Sequence, residues 1–145
     1  MHSFTRQLAQ LTCAALIALG GASWAQASAS HPLLAQGDAL WAAGKPELAQ
    51  KSYEDAVAAQ PKSFDARMKL GGLQLSQQAF TAATDTYKQA IGLNANNAKA
   101  WVGLGFSYLH SDRKDLTLAA FNEAIRLDPS YKDRLATLMV KLAVN

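Results

Sequence analysis

The chain has 145 residues, with 14 Lys plus Arg against 11 Asp plus Glu, and 50% of its residues are apolar. Acids and bases are interspersed without a long block of like charges, so the small positive balance is not the footprint of a nucleic-acid binder. Cys13 is the only cysteine, which excludes an internal disulfide framework and a cage of thiolates around a metal.

The first segment reads as an export signal. Met1 to Arg6 carries one base and no acid, and the apolar run Leu8 to Leu19 that follows is too short to span a membrane. Gly20, Gly21, Ala22 and Ser23 end that run. Two overlapping small-x-small sites come next, Ala25-Gln26-Ala27 and Ala27-Ser28-Ala29, of the kind a signal peptidase cleaves. Residues 1–29 are therefore expected to be removed on export, to the periplasm of a Gram-negative cell or to the medium. An uncleaved amphipathic anchor is the rival reading, disfavoured because Gln7, Gln10 and Thr12 interrupt the apolar character. Cys13 would leave with the signal. Ala14 to Leu19 continue the apolar run past it, so it is not placed for lipidation. The mature chain is expected to be soluble, without stable membrane insertion, and held by its core alone.

After the signal the chain repeats itself every 34 residues. Gly37, Gly71 and Gly105 keep that interval, as do Tyr53, Tyr87 and Phe121, then Ala56, Ala90 and Ala124, then Val57, Ile91 and Ile125. Ala49 and Ala83 continue as Thr117, and Pro61 and Pro129 bracket Ala95. A unit of this length is one helical hairpin that cannot bury its apolar face alone and stacks on its neighbours. The first unit is 30–63, the second 64–97 and the third 98–131. Ser30, Ser63, Asn97 and Ser130 stand where helix N-caps belong, Pro46 opens a second helix after Gly44 and Lys45, and Pro61 and Pro129 close second helices. The second unit departs furthest, with Arg67 and Gln74 at large apolar positions, and is expected to be the least stable. From 132 to 145, Leu135, Leu138, Met139 and Leu142 recur at helical spacing, as a capping helix requires.

These columns resemble the tetratricopeptide repeat, whose pattern runs aromatic, Leu-Gly, Tyr, Ala, aromatic, Ala, Pro. The third unit matches with Trp101, Leu104, Gly105, Tyr108, Phe121, Ala124 and Pro129; the first carries Leu33, Gly37, Leu40, Ala49, Tyr53, Ala56 and Pro61; the second carries Leu70, Gly71, Ala83, Tyr87 and Ala90. The resemblance implies an all-α solenoid of three hairpins plus a cap. It also implies a concave groove lined by first helices, in which a peptide of a partner protein lies. The matching positions are His31, Leu34, Asp38 and Trp41, then Asp65, Met68, Gly72 and Leu75, then Lys99, Val102, Phe106 and Leu109. Most are apolar, which suits an apolar or amphipathic partner segment. One subgroup of the family grips the C-terminal carboxylate of chaperones with lysines, asparagines and an arginine. Its positions here hold Leu34, Asp38, Lys69, Lys99 and Gly103, of which only Lys99 matches, so chaperone-tail recognition is not expected.

No nucleophile with a neighbouring His and acid, no Gly-rich phosphate loop and no His-Glu pair on one helical face is present. His31 and His110 are far apart along the repeat and read as solvated side chains. The expected function is a periplasmic scaffold or adaptor that binds peptide segments of partner proteins in the groove, without catalysis, cofactor or metal. The alternative is a structural subunit of an envelope polysaccharide, peptidoglycan or secretion machine, recruited by other faces. Homodimerisation through an end repeat is compatible with either.

Overall fold

The computed structural model of the chain describes residues 31–144. The expected signal peptide and Ser30 lie outside them. The described residues form seven α-helices and no strand: α1 Pro32–Ala42, α2 Pro46–Ala59, α3 Phe64–Ser76, α4 Phe80–Leu93, α5 Ala98–Leu109, α6 Lys114–Leu127 and α7 Tyr131–Val144. Connections of three or four residues leave each helix no course but to fold back beside the one before it. Successive first helices also touch directly, α3 against α5. The fold is thus an all-α helical repeat, as the periodicity predicts.

The starts of α3 and α5 are capped by the expected side chains. Ser63 Oγ accepts from the Ala66 N–H at 3.2 Å, and Asn97 Oδ1 from the Ala100 N–H at 3.3 Å. Ser130 does not repeat the device. Instead its own N–H donates to Asp128 Oδ1 at 3.0 Å, and hydrogen bonds from the Ser130 side chain and backbone hold the Asp128 carboxyl below its ordinary range. The same turn one repeat earlier is closed by Asn94, which accepts from the Asn96 N–H.

The turn inside each hairpin has one geometry and three different residues. Gly44, Gln78 and Asp112 stand 34 residues apart, and all have positive φ, at 68°, 62° and 55°. Around each, the N–H of the next residue reaches back five positions: Lys45 to Leu40 O, Ala79 to Gln74 O, and Arg113 to Tyr108 O, at 2.9–3.0 Å. The left-handed residue's own N–H reaches back three, to Trp41, Leu75 and Leu109. This double closure satisfies the helix's terminal carbonyls and needs a residue in the left-handed region, where glycine alone enters without a Cβ penalty. Only the first hairpin supplies glycine. The second helices start directly from it, and Lys45, Ala79 and Arg113 at their N-caps offer no side-chain hydrogen bond.

The core is built from rings laid on bare helix. A Cβ at Gly37 would overlap the ring of Tyr53, and one at Gly105 the ring of Phe121. Tyr87 serves two helices, lying 3.1 Å from a Cβ placed on Gly71 and overlapping one placed on Gly103. Ala49, Ala56, Ala83, Ala90 and Ala124, each at most 1% exposed, let the backbones approach around these rings. Three clusters result, centred on Tyr53 with Leu70 and Leu73, on Tyr87 with Leu104 and Tyr108, and on Phe121 with Tyr131 and Leu135.

In the second hairpin Gln74 is 7% exposed, and its side-chain oxygen accepts from the Thr86 hydroxyl at 2.8 Å. The apparent defect is a satisfied pair. Thr86→Val leaves that oxygen buried and unpaired, and the urea midpoint should fall by the equivalent of about 1–3 kcal/mol. Adding Gln74→Leu should recover most of the loss, because both partners are then apolar. For the turn, Gly44→Ala meets no atom within 4 Å, so its effect isolates the backbone. The left-handed penalty of roughly 1–2 kcal/mol outweighs the few tenths that alanine gains by restricting the unfolded chain. Denaturation should therefore show a lower midpoint at unchanged slope.

Candidate partner groove

The first helices α1, α3 and α5 present equivalent positions in four rows, and the structure divides the expected groove residues between them. Leu34 is not an open groove residue. It is 5% exposed and belongs to one buried cluster with Tyr53 of α2 and Leu70 and Leu73 of α3. Met68 and Leu75 are half-buried against the cluster of Tyr87, Leu104 and Tyr108. Val102 and Phe106 are half-buried against Phe121, Tyr131 and Leu135, since α7 closes over the end of the stack. Trp41 stands out at 46% exposed, Leu109 is half-buried, and Asp38, Asp65, Gly72 and Lys99 are exposed. His31 precedes α1.

One of these rows, Asp38, Gly72 and Phe106, takes its character from pairing across each hairpin, which the columns taken singly did not show. In the first, the Tyr53 hydroxyl donates to Asp38 Oδ1 at 2.6 Å. In the third, the rings of Phe106 and Phe121 meet edge-on, centroids 5.3 Å apart. In the second, the partner of Tyr87 is Gly72, whose missing side chain would come no nearer than 3.7 Å from the Tyr87 hydroxyl. The face therefore changes along its length from charged, through bare, to aromatic. Lys69 of α3 completes the charged end, its Nζ 2.8 Å from both Asp38 oxygens. The signal for this triad was in the sequence, since Asp38 and Tyr53 occupy facing columns and Lys69 the next helix.

Burial raises the Asp38 carboxyl, but hydrogen bonds from Lys69 and Tyr53 and the Lys69 charge outweigh it and leave the group below its ordinary 3.8. Burial, then the bond and charge of Asp38, push the Tyr53 phenol well above its ordinary value. Burial alone pushes Tyr87 up. Among the described residues no three His, Cys, Asp or Glu are grouped to hold a metal, and no helix is long and apolar enough to cross a membrane. His110 is exposed yet ordered by stacking on Phe80, ring centroids 4.7 Å apart.

The depressed Asp38 value stabilises the fold above the ordinary carboxylate range and loses that contribution as pH falls through the folded value. The raised Tyr53 value stabilises below the ordinary phenol range and is lost in strong base. At neutral pH Asp38→Asn should lower the urea midpoint, by less than about 1 kcal/mol because the pair is half-exposed. The gap to the natural chain should close as pH falls below the carboxylate range. A gap that stays constant down to acid pH would show that the ion pair is not its source.

Residues 34–98 and 80–132 match the family described as tetratricopeptide repeat. Among curated proteins, the peptidyl-prolyl cis-trans isomerase FKBP4 of Bos taurus is 35% identical over 89 residues, which is 61% of this chain and 19% of that protein. The chain thus spans about a fifth of that relative's length. Among solved structures, PcrH in complex with the chaperone binding region of PopD superposes with a TM-score of 0.70 at 19% identity, over 77% of this chain and 89% of PcrH. The second tetratricopeptide domain of human RPAP3, in complex with an HSP70 peptide, gives 0.70 at 22% identity, over 77% and 92%. With the 34-residue columns, the ring-on-glycine packing and a family match over most of its length, the chain belongs to the tetratricopeptide repeat family.

Proposed function

We propose that the chain is an exported interaction module that holds a segment of a partner protein against the face of its first helices, without catalysis. The observation that carries this reading is the row Trp41, Leu75 and Leu109, three apolar side chains on successive first helices, none of them fully buried. Trp41 at 46% exposure has the size and rigidity of a binding anchor. Gly72 in the middle is exposed and leaves the backbone open to close approach, and Asp38 with Lys69 offers a polar boundary at one end. PcrH, which shares the fold, is seen with the chaperone binding region of PopD, and this supports peptide capture as the mode. Nothing in the lining favours nucleic acid, cofactor or metal. The amino-terminal grammar of residues 1–29 supports export to the periplasm.

A photo-reactive aromatic residue in place of Trp41 should trap a partner from the native envelope, and the same residue in place of exposed Asn122 on α6 should not. Trp41→Ala should weaken that partner by about tenfold or more while leaving the helical circular dichroism unchanged. Trapping from Asn122 alone would favour instead a structural subunit recruited by its outer faces. Amino-terminal sequencing of the exported form should begin at Ser28 or Ser30; a form that retains Met1 would refute export with cleavage.

A further inference from the structure

Away from the first-helix face, α4, the end of α5 and the turn before α6 surround a cavity of about 270 Å³. Two nearly buried hydroxyls belong to its lining. Tyr108 is 7% exposed and Thr84 8%, and among the described residues neither hydroxyl has a hydrogen-bond partner. No fully enclosed side-chain oxygen among the described residues lacks a partner, so both hydroxyls are reached by water, and the space they share is this cavity. Two cations converge on it. Lys88 Nζ stands 5.8 Å over the Tyr108 ring, and Arg113 lines the cavity from the α5–α6 turn. Among the described residues neither has a carboxylate within salt-bridge distance. Asp85 also lines the cavity, so its net charge is one positive.

The repeat itself supplies a control. One unit earlier, Glu54 and Ala79 stand at the positions of Lys88 and Arg113, and Gln50 and Gln74 at those of Thr84 and Tyr108. There the polar groups are satisfied internally, Gln50 by Glu54 at 2.7 Å and Gln74 by Thr86 at 2.8 Å. One unit later, Asn122 replaces Lys88. The hairpin stack therefore does not require two cations and two unpartnered hydroxyls at this junction. We infer that the cavity binds a carboxylate, with Arg113 and Lys88 neutralising it and the Tyr108 and Thr84 hydroxyls donating to its oxygens. Asp85 leaves room for one net negative charge, which favours a carboxylate over a phosphate dianion. The carboxylate has two possible sources, a small free acid or an acidic side chain of a protein.

The test is a titration of the purified chain, followed through the backbone amide signals of residues 84–88 and 111–114. The probes are N-acetyl-glutamate methylamide as the side-chain stand-in, glucuronate as the free acid, and inorganic phosphate. Saturable shifts are expected with both carboxylates, weaker with phosphate. Whichever carboxylate binds tighter names the source. Tyr108→Phe removes a hydroxyl that bonds to none of the described residues, so the thermal midpoint should not move while carboxylate affinity drops by about threefold to tenfold. Lys88→Met should weaken it similarly, through charge alone. Absence of saturation with either carboxylate, tighter binding of phosphate, or a Tyr108→Phe chain that binds like the natural one would overturn the assignment.

Discussion

The stack depends on the contact between an aromatic ring of each second helix and a glycine of the first helix before it. At Gly37 and Gly105 the ring occupies the volume a Cβ would need, so any other residue there drives the helices apart. Glycine inside a helix costs about 1 kcal/mol in propensity. A ring such as Phe121, fully buried, returns several times that by leaving water. Burial wins. The same trade explains why the alanines around the rings are enclosed: they permit the approach that the glycine begins. Tyr87 extends the contact across hairpins, because Gly103 gives it a second bare surface on the following first helix. The middle hairpin is therefore tied to its neighbour by the side chain that ties its own helices together.

With the backbone fixed by these contacts, side chains at equivalent positions are free to differ. Tyr53 bonds to Asp38, Tyr87 faces Gly72, and Phe121 meets Phe106, three solutions on one frame. At one junction the polar groups are satisfied within their own hairpins, Gln50 by Glu54 and Gln74 by Thr86, while at the next Thr84, Lys88, Tyr108 and Arg113 line an open cavity. A surface made by substitution on a constant frame costs little stability, since the core columns do not change with it. This is how a repeat acquires distinct binding character at successive steps.

The fold class was legible because its cause is periodic: glycine, ring and small-residue columns recur at 34 residues, and the caps at Ser63 and Asn97 follow from local hydrogen bonding. What was not legible depends on neighbours rather than on columns. Leu34 shares its row with Met68 and Val102, yet it alone is enclosed, and the row position carries no sign of that. Val102 and Phe106 are covered in part by α7, whose closeness is set by Tyr131 and Leu135. Gln74 read as a flaw because its partner Thr86 lies on the other helix of the hairpin. The left-handed turn column was hidden because Gly44, Gln78 and Asp112 have no chemistry in common, only a backbone angle.

The packing also bears on how a partner would act on the stack. Stability in such an array is a sum of hairpin terms and junction terms, so the ends, with one neighbour each, open more readily than the middle. Trp41 lies in the first hairpin and Leu109 in the third, with Leu75 between them. A ligand that touches all three spans two junctions and adds its binding energy to both. The Asp38–Lys69 pair already crosses the first of these junctions, and Tyr87 on Gly103 the second. A segment bound along this face therefore stiffens most the terminal hairpin that is held by the weaker of those two links. The first junction carries Leu34 and Tyr53 in one cluster with Leu70 and Leu73 and adds only a half-exposed ion pair on this face, whereas the second has a buried ring seated on glycines of both first helices. Ordering of α1 and α2 is accordingly the conformational change that occupancy of the groove should produce most strongly.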